Sequence, residues 1–360
     1  MVYKTSLWTG VLWTFLVVTA RMAESQGRHS CARSDCISLQ RCPQLAELLR
    51  APTRDNIKKL QDATCFVSGQ DPRVCCPPEP PKPKVSLLPR RCGEGLAGNR
   101  ILGGEETPLG AYPWMAVFGY KEIGFDNIEY LCAGSVINDR YILTAAHCVE
   151  PQVLAVKRLE VIGLGDWDLK TTVDCQVTES GHRLCSPPSQ NFTYEEIIVH
   201  PQYNTRTTYS DDIALIRLSR KVDLSGFWVH PVCLPPQNLN VRQVMHVPEA
   251  IVAGWGATEN GTVSDRLLHV VLPVVDNQQC NTTYKGRTIA EQICIGGVAG
   301  QDSCKGDSGG PLVIRGPDGP PYLQIGIVSY GPTNCGLKSV PGVYTDISKY
   351  RDWIEENLRP

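Results

Sequence analysis

The sequence offers little to a polyanion or to a lipid bilayer. Only 20% of its 360 residues are charged and the formal net charge is −2, so no nucleic-acid partner is implied. The basic runs Lys82–Lys84 and Arg90-Arg91 are short and read as solvated linker rather than as binding patches. Zinc chemistry is excluded as well, since there is no Cys-x-x-Cys pair in a zinc arrangement and no His-Glu-x-x-His. The long apolar run Leu7–Ala20 follows Lys4 and precedes small residues near Ala23 and Ser25. It is too short to span a membrane and reads as a secretory signal peptide over residues 1–25, its end falling between 20 and 27. No later stretch has the length and apolarity of a span. Cysteine, by contrast, is plentiful. Sixteen of them, an even number, point to disulfides and an oxidising, extracellular compartment. In that setting Asn191, Asn260 and Asn281, each in an Asn-x-Thr triplet, are candidate glycosylation sites.

The densest chemical signal is Asp302-Ser-Cys-Lys-Gly-Asp-Ser-Gly-Gly-Pro311. A serine attacks a carbonyl only when a tight turn presents its hydroxyl beside N–H groups aimed at the developing oxyanion. Gly306, Gly309 and Gly310 permit such a turn around Ser308, and the N–H groups of Gly306 and Ser308 would form the oxyanion hole. This loop resembles the nucleophile loop of the chymotrypsin-like (trypsin-family) serine proteases. Two further motifs stand in the family's chain order. Leu143-Thr-Ala-Ala-His-Cys148 nominates His147, and Asp211-Asp-Ile-Ala-Leu215 nominates Asp212, the aspartate directly followed by Ile-Ala-Leu. The resemblance implies a serine endopeptidase with catalytic His147, Asp212 and Ser308 and no cofactor needed for the chemistry.

The implied fold is all-β: two six-stranded antiparallel β-barrels with a C-terminal helix, over residues 101–360. The residues agree. Tyr130–Ile137, Tyr141–Thr144, Glu160–Leu164, Ile213–Leu218, Ile251–Gly254 and Gln324–Ser329 read as strands bounded by turn residues. Asp346–Leu358 reads as a helix with Ile347, Tyr350, Ile354 and Leu358 on one face and Asp346 or Ser348 as cap.

Ahead of this domain, Cys31, Cys36, Cys42, Cys65, Cys75 and Cys76 crowd into residues 31–76. A segment this small cannot bury enough apolar surface unaided and needs three bridges, for which the residues alone allow 15 connectivities. Pro43–Leu60 has helix-like apolar spacing interrupted by Pro52. The spacing, ending in adjacent cysteines, resembles the CLIP domain of arthropod serine proteases. That family implies Cys31–Cys75, Cys36–Cys65 and Cys42–Cys76. In the protease domain it implies Cys132–Cys148, Cys280–Cys294 and Cys304–Cys335, with Cys92–Cys233 tying the light chain on, and Cys175 with Cys185 left to pair across one inserted loop. Residues 77–100 form a proline-rich linker and activation segment.

Arg100-Ile-Leu-Gly-Gly104 resembles the family's activation site. Cleavage after Arg100 would free the ammonium of Ile101 to pair with the Asp307 carboxylate; buried ions are tolerable only when paired. The resemblance further places Asp302 at the base of the primary specificity pocket, with Ser329, Gly331 and Gly342 around it. An unpaired carboxylate there selects Arg or Lys. Asp166-Trp-Asp-Leu-Lys-Thr-Thr-Val-Asp174 resembles a calcium loop of some CLIP proteases, making Asp166, Asp168, Thr171 and Asp174 candidate ligands of a structural Ca2+. Similarity to insect haemolymph proteases of the Easter and prophenoloxidase-activating type implies a secreted enzyme of melanisation or Toll-pathway immunity. Its partners would be an upstream activating protease, a serpin inhibitor, and a downstream zymogen, prophenoloxidase or cytokine precursor as substrate. A developmental, dorsoventral-patterning protease and a non-catalytic CLIP adaptor are the alternatives. The second would have lost the nucleophile, which Ser308 retains.

Overall fold

The computed structural model describes residues 31–78, 86–95, 105–178, 180–240, 249–258, 261–316, 319–332 and 335–360. The expected signal peptide, Arg100, Ile101, Asn260 and part of the linker lie outside the described residues. The chain forms two compact units, divided between residues 85 and 86. None of the helices among the described residues is long and apolar enough to cross a membrane.

In the first unit, β1 (Ile37–Ser38), β2 (Thr64–Ser68) and β3 (Asp71–Val74) form a three-stranded antiparallel sheet in the order β1-β3-β2. The helical stretch breaks where Pro52 requires. A short helix Pro43–Ala46 and a 3-10 turn Glu47–Arg50 precede the break, and helix Arg54–Ala63 follows, capped by the Thr53 hydroxyl on Asn56 N–H. The fully or nearly fully buried core is small: Leu39, Cys42, Leu45, Leu60 and Val74. Three disulfides surround it, Cys31–Cys75, Cys36–Cys65 and Cys42–Cys76.

The second unit is built on two seven-stranded sheets. The remaining strands are β4 (Glu105–Glu106), β5 (Met115–Glu122), β6 (Ile128–Val136), β7 (Tyr141–Thr144), β8 (Lys157–Leu164), β9 (Cys175–Val177), β10 (Arg183–Cys185), β11 (Gln190–Phe192), β12 (Tyr194–Val199), β13 (Ala214–Leu218), β14 (Glu249–Gly254), β15 (Leu268–Val275), β16 (Gln292–Gly296), β17 (Pro311–Gly316), β18 (Gly319–Tyr330) and β19 (Pro341–Asp346). The second sheet runs β14-β17-β18-β19-β16-β15 and closes into a six-stranded barrel because β14 also pairs with β15; β4 is an added edge on β15. Its interior holds Val252, Leu272, Ile295, Leu312, Ile325 and Tyr344.

The first sheet, β11-β8-β5-β6-β7-β13-β12, departs from the expected closed barrel. Its two edges do not pair with each other. They are instead consecutive pieces of one chain segment interrupted at Thr193, whose carbonyl accepts from Ser219 N–H (3.0 Å). The segment changes partner at that point, from β8 to β13, and a register shift in the new ladder follows between Tyr194 and Glu196. Counted as one interrupted strand, β11 and β12 restore the six strands. The C-terminal helix is also divided. Asp346 caps a 3-10 turn Ile347–Lys349, Tyr350 leaves helical geometry, and Arg351–Asn357 resumes it. Ile347, Tyr350, Ile354 and Leu358 are buried together, as their spacing requires.

Leu60 is 2% exposed in a unit with few core side chains. Leu60→Ala removes about 2–5 kcal/mol of stability there. Hydrogen exchange on the full chain checks this, with protection lost across residues 31–76 and unchanged across the sheets of the second unit.

Candidate active site

Each of the three motif residues sits where one sheet meets the other. β7 ends at Thr144 and the chain turns at once into the short helix Ala146–Val149, which carries His147. The Cys132–Cys148 disulfide fixes that turn to β6. Asp212 lies just before β13 and is fully buried. One oxygen of its carboxylate accepts His147 Nδ1–H (2.8 Å) and the Ser329 hydroxyl; the other accepts the backbone N–H of His147 (2.9 Å). Thr345 Oγ donates to the Asp212 carbonyl (2.8 Å). Ring and carboxylate are thus held in register by backbone as well as side chain. Burial disfavours a charged His147, but the adjacent Asp212 carboxylate outweighs it and raises the ring's pKa above its ordinary value.

Ser308 occupies the loop before β17. Its carbonyl accepts from Ala133 N–H on β6 (2.7 Å), while Gly309 N–H donates to Val328 and Val328 N–H to Gly310 (both 2.9 Å). The loop is therefore anchored to both sheets. Cys148 Sγ lies 3.6 Å from the Ser308 carbonyl oxygen and 3.7 Å from His147 Nε2, so the serine's backbone and the imidazole both adjoin the disulfide. Gly306 has φ +104°, a conformation closed to residues with a Cβ. The N–H groups of Gly306 and Ser308 have no acceptor among the described residues. Two unengaged donors beside a serine and a carboxylate-held imidazole can perform acyl transfer.

Asp302 and Asp307 border one cavity of about 380 Å³, together with Gly254, Gly256, Val270 and Gly336. Asp307 is buried, its oxygens accepting among the described residues only backbone N–H groups, from Gly256 and Cys304 (2.8 Å each). The approach is so close that a Cβ on Gly254 would stand 2.0 Å from Asp307 Oδ1. One oxygen of Asp302 accepts from Gly336 N–H (3.3 Å) and the other has no partner. Among the described residues no cation reaches either carboxylate, and burial pushes both pKa values up to about 6. Of the other expected pocket residues, Gly342 faces Asp302, a Cβ there lying 3.4 Å from its free oxygen; Gly331 borders Gly342 at 3.8 Å. Ser329 directs its hydroxyl to Asp212 instead.

The four expected metal ligands do not converge. Asp168 is committed to Arg266 (3.0 Å) and to Lys170 N–H (3.1 Å). Asp174 accepts Trp167 N–H (2.8 Å) and the Thr171 hydroxyl. Asp166 retains one buried oxygen without a partner, and burial with the nearby Asp174 charge raises its pKa to about 6. Asp166 and Asp174 therefore fit a hard cation, and the side chain of Asp168 does not. Sequence reading alone does not find Trp167 as the junction of this region. Its indole N–H donates to the Thr107 carbonyl (2.9 Å), and its own carbonyl accepts from Leu267 N–H (2.8 Å) and Trp255 Nε1 (3.2 Å). Nor does it find Tyr209, stacked on Tyr330 with its edge on His147. Trp167 lies inside the acidic loop motif but is given no role by it, and no motif marks Tyr209. The other expected disulfide partners are joined as well: Cys92–Cys233, Cys175–Cys185, Cys280–Cys294 and Cys304–Cys335. Asn191, on β11, and Asn281, in the helix Asn277–Thr283, are exposed.

Fold and site define a serine endopeptidase of two β-sheet halves with an N-terminal disulfide unit. Comparison with known proteins agrees: the trypsin family matches residues 101–354 and the regulatory CLIP domain of proteinases matches 32–76. Melanization protease 1 of Drosophila melanogaster is 38% identical over 97% of this chain and 98% of its own. Phenoloxidase-activating factor 1 of Holotrichia diomphalia is 39% identical over 90% and 91%. The crystal structure of the Drosophila Grass clip serine protease of the Toll pathway superposes with a TM-score of 0.65 at 33% identity, covering 89% of this chain and 93% of that one. The chain belongs to the trypsin family and is a CLIP-domain serine protease.

The raised pKa of Asp302 fixes a sign. In the folded chain it binds a proton below about 6, whereas an unfolded aspartate does so only near 3.9. Between those values the folded state holds the extra proton, so this group's contribution to stability grows as pH falls from 7 to 4. Thermal unfolding of the intact chain should accordingly show Asp302→Asn stabilising at pH 7.5, with the gain shrinking by pH 4.5.

Proposed function

We propose that the chain is a secreted zymogen, activated by cleavage after Arg100, that cleaves protein substrates after Arg or Lys in an extracellular immune cascade. The observation that carries this reading is a pair of carboxylates, Asp302 half-buried with one fully buried oxygen and Asp307 buried, facing one cavity with no cation of the described residues on either. A buried charge is stable only when paired, so each carboxylate calls for a cation from elsewhere. For Asp302 the substrate's Arg or Lys supplies it; for Asp307, the ammonium of Ile101 freed by the cut. The second pair lies next to Ser308 and Gly306 and would set the oxyanion donors.

The chemistry then follows from the site. Ser308 Oγ bonds to the scissile carbonyl carbon as its proton passes to His147 Nε2, and Asp212 holds the resulting imidazolium. The carbonyl electron pair moves onto oxygen, facing the N–H groups of Gly306 and Ser308. Collapse breaks the C–N bond, with His147 returning the proton to the leaving amine. Water repeats the sequence on the acyl-serine and releases the acid. The named relatives support a place in melanisation or Toll signalling; an activating protease upstream, a zymogen, prophenoloxidase or cytokine precursor downstream and a serpin belong to the same proposal. A structural calcium ion on the loop of Asp166 and Asp174 is a further part of it.

Three outcomes test the reading. Arg and Lys reporter peptides should be hydrolysed only after a verified cut at Arg100, Phe reporters poorly, and neither by Ser308→Ala; a verified cut without activity overturns it. Asp302→Ser should lower kcat/KM for Arg reporters by about 100-fold or more, because the ligand cation loses its only pairing charge. Added calcium should raise the melting temperature and a chelator lower it, with Asp166→Asn abolishing both responses; equal melting in all conditions removes the ion from the account.

A further inference from the structure

The segment leading to Asp212 is folded around a charge that the chemistry above does not use. Asn204, Tyr209 and Asp211 all have left-handed backbones, with φ of +59°, +61° and +53°, which residues other than glycine adopt at a cost. The segment closes on itself. Asn204 N–H donates to the Ser210 carbonyl (2.8 Å), Tyr209 N–H to Asn204 Oδ1 (3.2 Å) and Arg206 N–H to Ser210 Oγ (3.2 Å). At its end Asp211 is buried, its side chain 2% exposed. Arg206 grips both of its oxygens, Nε at 3.0 Å and Nη2 at 2.7 Å, and Tyr350 donates a third bond of 3.0 Å. The remaining Arg206 nitrogen pairs with Glu291 at 3.1 Å. His200 completes the surroundings with its ring edge on Tyr350.

Asp212 comes next in the chain. Ile213 N–H returns to the Asp211 carbonyl (2.9 Å), so Asp212 stands at the tip of a three-residue turn whose first residue is the left-handed Asp211. Whatever holds Asp211 sets the direction in which the Asp212 carboxylate leaves the backbone. The same loop carries Tyr209, whose ring centre lies 5.5 Å from that of His147 in a T-shaped arrangement and 5.4 Å from that of Tyr330, on which it stacks.

We infer that Arg206, through its two-pronged bond to Asp211, is a positioning residue for the His147–Asp212 couple: it fixes Asp212 from behind and Tyr209 over the imidazole. The fork is essential to this role. A lysine supplies the same charge but a single point of contact and cannot hold a planar carboxylate at two oxygens. The inference rests on the proposed triad and extends it to a residue whose side-chain bonds, among the described residues, go to Asp211 and Glu291 and not to the imidazole.

The test uses the full chain cut after Arg100, compared as wild type, Arg206→Ala, Arg206→Lys and Ser308→Ala, with active sites counted by a stoichiometric acylating titrant. Displacements well under an ångström at reacting groups cost large factors in rate. Both Arg206 variants should therefore lose about tenfold or more in kcat with KM within about threefold. The downfield proton resonance of His147 Nδ1–H, the signature of its bond to Asp212, should move upfield in both. Arg206→Lys keeps the charge that Asp211 needs and serves as the decisive variant if Arg206→Ala does not fold. A lysine variant with wild-type kcat and an unmoved resonance overturns the inference while leaving the triad intact. Cut wild type no more active than Ser308→Ala overturns the triad reading itself, and the inference with it.

Discussion

The carboxylate of Asp307 is the constraint on which the site depends. It is buried, it accepts only two backbone N–H groups among the described residues, and Gly254 and Gly256 leave it no more room than it needs. Burial, with a smaller push from the Asp302 charge, outweighs the two backbone bonds and lifts its pKa to about 6, so at neutral pH the chain holds an ionised group that its surroundings disfavour. That group adjoins Ser308 and follows Gly306, the residues whose N–H groups are unengaged. On the proposed reading, the missing cation is the means by which proteolysis acts on chemistry: the cut produces an ammonium, and the ammonium relieves the carboxylate. Asp302 repeats the arrangement at the substrate's end, so activation and recognition draw on one physical rule.

The units share a dependence on disulfides but use them differently. In the first, three bridges surround five buried core residues, and the covalent links replace apolar burial that a segment of that size cannot supply. In the second, a large core is already present, and the bridges act locally. Cys132–Cys148 fixes the turn that carries His147, and Cys304–Cys335 ties down the loop between Asp302 and Asp307. Cys92–Cys233 joins the segment before the proposed cut to the body after it, which keeps both pieces in one molecule once the chain is opened.

What could be read from sequence was local. His147, Asp212 and Ser308 each lie in a contiguous motif whose residues interact with one another, so the motif carries its own context. Strand Tyr141–Thr144 was legible for the same reason. Features decided by distant partners were not. The break at Tyr350 coincides with a phenol bonded to Asp211, 139 positions away, and the Asp168 carboxylate is engaged by Arg266, 98 positions on. The interruption between β11 and β12 likewise falls at Thr193, whose carbonyl accepts from the distant Ser219 N–H. Cysteine pairing occupied a middle ground. The residues alone left 15 arrangements in the first unit, and only a resemblance to a family selected one.

The most direct test of the central claim is chemical access to the α-amino group of Ile101 after the cut. Cyanate carbamylates exposed amines and spares those buried in ion pairs. Slow modification in cut wild type, fast modification in cut Asp307→Asn, and loss of peptidase activity in step with modification are the predicted results. An Ile101 amine that reacts as fast in cut wild type as in a free peptide, with activity retained, would contradict the account.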